Sequence, residues 1–478
     1  DRAPMPAMTA GEPARSHRTD SMNTAYRMAL ACSAAWPITS ATPAWAQDMP
    51  GMDMSKPMAA PVQREPTAPK PAPAPPPAQD DMAMDMPGMD HGAMDHAAMG
   101  HEGGGSGTSR LPLADGPMQG IHLSAGDWML MVHATVSAQY TSDTGPRGDD
   151  KAYATSMAMV MATRQTDWGK VQLKAMGSLE PFMRHDGYPN LFATGEEAYG
   201  KSLVDRQHPH DLFMELAARV DVNTGFGSVF IYGGPVAEPA LGPSAFMHRA
   251  SARLNPEAPI THHWFDSTHI TYGVVTGGLA GAKWQIEGSA FRGQEPDEHR
   301  FNIETPRLDS WSVRGTLTPS PAWAIQASYG FLKQPEAGHP GEDERRFTAS
   351  AHYANGHGLS AMAGFSAKKR VVPGGNGPTL TAFLGEAEWD ATRHDTLFGR
   401  IENVDNDELF PDPASLFHDR AFRVTKFQVG YARRYRIGPV ELAAGGSVSA
   451  FAKPALLDTA YGRHPMGYTG FVRLSLAQ

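Results

Sequence analysis

The chain has a single cysteine, Cys32, in 478 residues. One thiol excludes a disulfide framework, and the lack of any CxxC pair excludes a thiolate zinc site. Long apolar runs are missing too. The longest, Met28–Trp36 broken only by Ser33, is far below the roughly 18–20 residues of a spanning helix. Basic charge is in deficit. The net charge of −10 suits nucleic acid poorly, so no nucleic-acid partner is expected. No GxSxG, HExxH or phosphate-binding loop occurs, so nothing marks the chain as an enzyme. With 41% hydrophobic residues, the chain is still too ordinary to be disordered throughout. What it has in excess is methionine: 26 residues, unevenly placed.

The chain begins at Asp1, and residues 1–21 are polar and patternless; they are expected to be an upstream extension from a misassigned start. A signal peptide is expected over 22–46. Met22–Arg27 is a short basic n-region, Met28–Trp36 the apolar stretch, and Ala44-Trp45-Ala46 a small-x-small cleavage site. Export fits the shortage of thiols, which are liabilities in an oxidising compartment.

Residues 47–109 are expected to be a disordered, metal-binding leader. They are rich in Met, Asp, Pro, Ala and Gly and hold no run that could build a core. Pro66–Pro77 predicts an extended spacer between two clusters. The first is Met49, Met52, Met54 and Met58. The second holds Met82, Met84, Met86, Met89, His91, Met94, His96, Met99 and His101. In it Met89-Asp90-His91, Met94-Asp95-His96 and Met99-Gly100-His101 recur every five residues. Thioether sulfur is a soft ligand for Cu(I) and, by extension, Ag(I); imidazole also accepts Cu(II), and carboxylate offsets the charge. Filler sequence does not explain Met, His and Asp recurring together where nothing can pack. Gly103–Gly107 is expected to act as a hinge.

From Asp127 the period changes to two. Trp128, Leu130, Val132, Ala134, Val136, Ala138 and Tyr140 are apolar, and Met129, Met131, His133, Thr135, Ser137 and Gln139 lie between them. Such alternation over 13 residues fits a tilted membrane strand, apolar towards lipid and polar towards the lumen. The pattern recurs to the end of the chain. It predicts an all-β fold for 110–478: an antiparallel transmembrane β-barrel of about sixteen strands, starting near 127, 152, 168, 212, 227, 269, 282, 308, 322, 346, 358, 378, 395, 421, 438 and 466. Short connections such as Arg164–Asp167 and Asn355–Gly358 alternate with long ones at 181–211, 234–268, 293–307, 405–420 and 453–465. Short periplasmic turns, long outer loops and an even strand number are what an outer-membrane barrel requires. Both termini, and the leader, then face the periplasm. The end, Leu476-Ala477-Gln478, departs from the terminal Phe or Trp of many such barrels.

Met129, Met131 and His133 share the face assigned to the lumen. Met157, Met159 and Met161 also share one face; they form a soft-ligand ladder with strand one, joined by Met176, or they face lipid, and the pattern alone does not choose. Met183, His185, Asp186, His208, His210 and Asp211 crowd one long loop, and Met247, His248, His262, His263 and Asp266 the next, with His269 following. His208, His210, His262 and His263 are the loop residues expected to bind a metal or to fold inward and narrow the pore. Glu215, Arg219, Asp221, Arg314, Glu386, Glu388, Asp390, Arg400 and Glu402 are expected to brace the lumen with ion pairs.

This organisation resembles the bacterial outer-membrane copper-resistance proteins of the CopB/PcoB type. The resemblance lies in Met86-Pro-Gly-Met-Asp-His91 and Met94-Asp-His96 of the leader, and over the barrel it is architectural. It implies copper tolerance: copper is bound in the periplasm and passed outward through the barrel, with outer-membrane lipid, copper ions and periplasmic copper proteins as partners. Two other readings stand beside it. One is a general porin for another solute with a metal-buffering leader; the other is a tethered metal sponge with a closed barrel.

Overall fold

The computed structural model describes residues 104–476. The expected signal peptide and the leader ligands Met49 to His101 lie outside the described residues.

Sixteen strands follow one another in order. They are β1 (Trp128–Asp143), β2 (Asp150–Thr166), β3 (Gly169–Gly177), β4 (Phe213–Thr224), β5 (Gly227–Ala237), β6 (Thr271–Ala280), β7 (Trp284–Phe291) and β8 (Ser310–Ser320). They continue as β9 (Trp323–Leu332), β10 (Asp343–Ala354), β11 (Leu359–Val371), β12 (Thr379–Asp390), β13 (Asp395–Asn406), β14 (Phe422–Ile437), β15 (Val440–Ala452) and β16 (Met466–Leu476). Each pairs antiparallel with the next, and β16 pairs with β1, from Thr135 opposite Ser475 to Asp143 opposite Gly467. The fold is a closed antiparallel β-barrel. Closure pairs the first strand with the last; in hydrocarbon each unpaired backbone group would cost several kcal/mol. The observed starts lie within three residues of those read from the alternation.

A short leading strand, Ile121–Ala125, turns at Gly126, where φ is 60°, and pairs back onto Trp128–Val132. It covers the part of the β1 edge that β16 does not reach.

Alternation puts two chemistries on the two faces. Outward stand Val160, Leu173, Ile286, Leu317, Ile401 and Val429, the last 70% exposed. Aromatics ring both rims: Trp168, Phe226, Trp323, Trp389 and Tyr435 by the short turns, and Tyr140, Trp311, Tyr329, Phe347 and Tyr468 by the long loops. Inward stand buried ion pairs, among them Arg314–Glu287 at 2.9 Å and Arg400–Glu386 at 3.0 Å. Eight of the nine charged residues expected to line the lumen are buried there, and Asp390, partly exposed, pairs with Arg253 at 2.8 Å.

The long β5–β6 connection, 238–270, does not stay outside. Most of it is buried. It first runs along β7 to β9, where Ala240 N–H donates to Ser289 Oγ and Gly242 N–H to Ser328 Oγ. It then reaches β12 to β14, where Leu254 N–H donates to Glu388 and Asn255 Nδ2 to Gln428. This inward loop therefore crosses the lumen. It begins four residues later than expected, because β5 continues through a bulge between Gly233 and Val236. Trp264 and Phe265 of the loop join Leu191 and Phe192 of the 178–212 connection in an apolar cluster against the inner wall.

The described part of the expected hinge, from Gly104, is packed rather than extended. Ser106 N–H donates to Ser244 Oγ of the inward loop at 2.9 Å, and Arg314 Nη2 donates to Thr108 Oγ1 at 2.9 Å. A Cβ at Gly107 would stand 2.9 Å from Glu238 Cβ, so close approach rather than flexibility asks for glycine there. The folded body thus begins inside the span assigned to the leader, not at 110.

Candidate metal sites in the lumen

β1 and β2 pair so that Met131 faces Met161 and His133 faces Met159. On the other edge of β2, Met159 faces Met176 of β3. Strand alternation sends all of these inward. Met131, Met157, Met159, Met176 and Met214 are buried in one cluster with Val236, Ile270 and Tyr272. Met118, Met161 and Met247 pack against it. Eight of the twelve methionines from Met118 onward therefore gather at one sector of the inner wall, six from its strands, Met118 from the lead-in and Met247 from the inward loop. The choice between lumen and lipid for Met157, Met159 and Met161 falls to the lumen. Met129 is half-buried opposite Thr163 and outside the cluster.

Met118, Met214 and Met247 carry no signal of this in the sequence. Met214 should point outward by alternation with Leu216 and Ala218. In the structure Met176 pairs with Glu215 and Gly177 with Phe213, so Met214 is the extra residue of a β-bulge. The bulge turns it inward, where it is fully buried.

His133 Nδ1 lies 2.7 Å from Gln119 O. A carbonyl only accepts, so Nδ1 carries the proton and Nε2 presents its lone pair. The ring borders a cavity of about 260 Å³ near the short turns, shared with Met118, Met247, His248, Glu388 and Asp390.

A second cluster adjoins the first. The two long loops bring His208, His210, His262, His263 and His269 together, with neighbouring ring centroids 5.1 to 6.4 Å apart. All five are buried. Phe246 packs on His210 and His262, and Met247 beside it belongs to the methionine cluster. His262 Nδ1 lies 2.8 Å from Asp266 Oδ1, and Arg249 holds Asp266 at 2.9 Å. Burial opposes ionisation of Asp266, but Arg249 and His262 outweigh it and hold the carboxyl well below its usual range. Burial pushes His208 and His269 well below the ordinary imidazole value, so both are neutral. Burial acts on His263 in the same sense, but the Glu295 carboxylate, 3.3 Å away, outweighs it and raises the imidazole to about 9. Glu196 is pushed up to about 7, chiefly by burial. A Cβ at Gly195 would meet the His263 ring at 2.3 Å, so the neighbouring glycine makes room for it.

Other residues of the loop set stand apart. His185 is exposed and packs edge-on to Tyr199, Met183 is partly exposed, and Asp186 and Asp211 pair with Arg206 and Arg300.

No family model and no curated protein matches the sequence. Solved structures resemble it in form. OmpF of Salmonella typhi, in complex with daunomycin, is 9% identical over 74% of this chain and 100% of its own, with a TM-score of 0.47. In-vitro folded OmpT, an outer membrane protein of Vibrio cholerae, is 9% identical over 74% of this chain and 99% of its own, with a TM-score of 0.44. An anion-selective porin from Comamonas acidovorans is 11% identical over 73% of this chain and 100% of its own, with a TM-score of 0.44.

Proposed function

We propose that this chain is an outer-membrane copper-handling barrel. Its leader binds Cu(I) in the periplasm through Met and His, and its lumen offers a second thioether station on the way outward. Copper is cargo here, not a resident cofactor. Membrane residence is supported by the outer wall. Water-soluble proteins rarely expose so continuous an apolar surface, and two aromatic rims are what a bilayer's interfaces favour.

The observation that carries the copper reading is the methionine cluster. Inner walls of such barrels are polar, and the rest of this one mixes ion pairs with apolar clusters whose one methionine is Met362. One sector instead gathers eight thioethers beside His133. Leucine would fill the same space with better-defined rotamers; thioethers add soft-metal affinity without a thiol's oxidation to disulfide. The test is Cu(I) release from proteoliposomes. Wild type is expected to release it faster than a variant with Met131, Met157, Met159 and Met176 changed to Leu. Equal rates contradict the station.

The sponge reading is favoured by one observation, the inward loop that crosses the lumen. Planar-bilayer conductance separates the two. Open-channel current supports passage, and no current under any condition supports a closed, metal-storing barrel.

A further inference from the structure

The histidine cluster is a different site from the methionine one, and its chemistry selects a different ion. His262 Nδ1 faces a carboxylate oxygen at 2.8 Å, His210 Nδ1 faces Glu180 Oε2 at 2.8 Å, and His269 Nδ1 faces the Asp266 carbonyl at 2.7 Å. His208 Nδ1 lies 3.3 Å from the Pro209 carbonyl. Each partner is an acceptor only, so each Nδ1 is the protonated nitrogen. On the neutral rings of His262 and His269, Nε2 is then a lone pair, and the Nε2 atoms of His208, His262 and His269 all lack a hydrogen-bond partner although buried. An unpartnered buried polar group costs about 1–3 kcal/mol. Several acceptors gathered in one buried space ask for a cation.

The closest-set donors are His208, His262 and His263, each offering a nitrogen within 4.8 Å of the other two. Glu196 Oε1 lies 3.5 Å from His208 Nε2, and Glu196 and His263 also stand within 4.8 Å of each other. The Asp266–His262 contact is the carboxylate–imidazole support that orients metal-binding histidines.

We propose that His208, His262 and His263, with Glu196 beside them, bind one borderline divalent cation of the Zn(II) or Cu(II) class, the His263 proton leaving to solvent as the ion enters. Three imidazoles and a carboxylate suit such an ion, whereas thioethers suit Cu(I). His208 and Glu196 belong to the 178–212 connection, and His262 and His263 to the inward loop. The ion therefore ties the inward loop to its neighbour. This site does not depend on copper passage through the barrel.

The experiment uses the full chain, purified in detergent micelles, stripped with a chelator and titrated with Co(II). Four-coordinate Co(II) absorbs strongly in the visible range; octahedral Co(II) on water and carboxylates absorbs weakly. Wild type is expected to show the strong band, saturating at one equivalent and abolished by Zn(II). His208→Gln and His263→Gln are each expected to weaken binding by about tenfold or more. Met159→Leu is expected to leave the band unchanged, which separates this site from the methionine cluster. Heat-modifiable gel migration reports folding, and if one His variant does not fold the other decides. No strong band in folded wild type, as when water alone satisfies the imidazoles, overturns the proposal. So does a band unchanged in the folded His variants.

Discussion

Met159 stands where two strand pairings meet, opposite His133 on one edge and Met176 on the other. It is 1% exposed. Its packing and its chemistry can be separated by substitution. Met159→Leu conserves volume and is expected to change stability by less than about 1.5 kcal/mol. Met159→Ala leaves a cavity and is expected to cost about 2–5 kcal/mol. Both lose the sulfur, so both are expected to weaken Ag(I) binding at the cluster. Thermal unfolding together with Ag(I) titration checks this: a Leu variant that keeps full Ag(I) affinity means the sulfur only packs. The inward phase of Met131 and His133 was legible in the alternation of β1; that of Met159 was not, because β2 carries methionine on one face and alanine and valine on the other, and either face suits lipid. Met214 was not, because a bulge breaks the alternation at that residue. Met118 and Met247 were not either, because only tertiary folding brings such distant segments to one wall.

Among the elements, the inward loop is the one that lies across the lumen. Arg249 anchors it, pairing with Asp266 at 2.9 Å and Glu386 at 2.7 Å while wholly buried. Arg249→Leu leaves Glu386 to Arg400 and Asp266 to His262, each short of one buried partner, and is expected to cost at most the about 3–5 kcal/mol of a fully broken buried pair. The loop is expected to loosen, and single-channel conductance in planar bilayers is expected to rise above wild type. Unchanged conductance means the loop is held without this anchor. Glu238 begins the loop, and burial raises its carboxyl to about 8 against the pull of Arg314 and Ser106. The folded state thus favours the protonated acid. Stability is lost as pH rises from the ordinary carboxyl value towards about 8, where the penalty is complete. Glu238→Gln removes this loss. The gain in Tm over wild type is expected to be small at pH ~5 and larger at pH ~8. A gain independent of pH contradicts the assignment. The strands were legible because a half-buried wall imposes a period of two. The loop's course was not, because its backbone follows contacts to residues of β7 to β14 that no local pattern encodes.

At the scale of the whole molecule, three chemistries are kept apart. Hydrocarbon-like residues face outward, ion pairs and apolar clusters share much of the inner wall, and thioethers and imidazoles gather in one inner sector. That sector runs from the cavity beside His133, through the methionines, to the imidazoles between the long loops. Residues 47–101 and this sector are both rich in methionine and histidine, but only the former show it in sequence, by repetition. The measurement that bears most directly on the proposed role is equilibrium Ag(I) binding to the full chain in micelles. Wild type is compared with a folded variant carrying Met131, Met157, Met159 and Met176 changed to Leu. The variant is expected to lose at least one equivalent of Ag(I) while keeping those of the leader. Equal stoichiometry and affinity in the two proteins would show that the barrel methionines only fill space, and the lumen would have no part in copper handling.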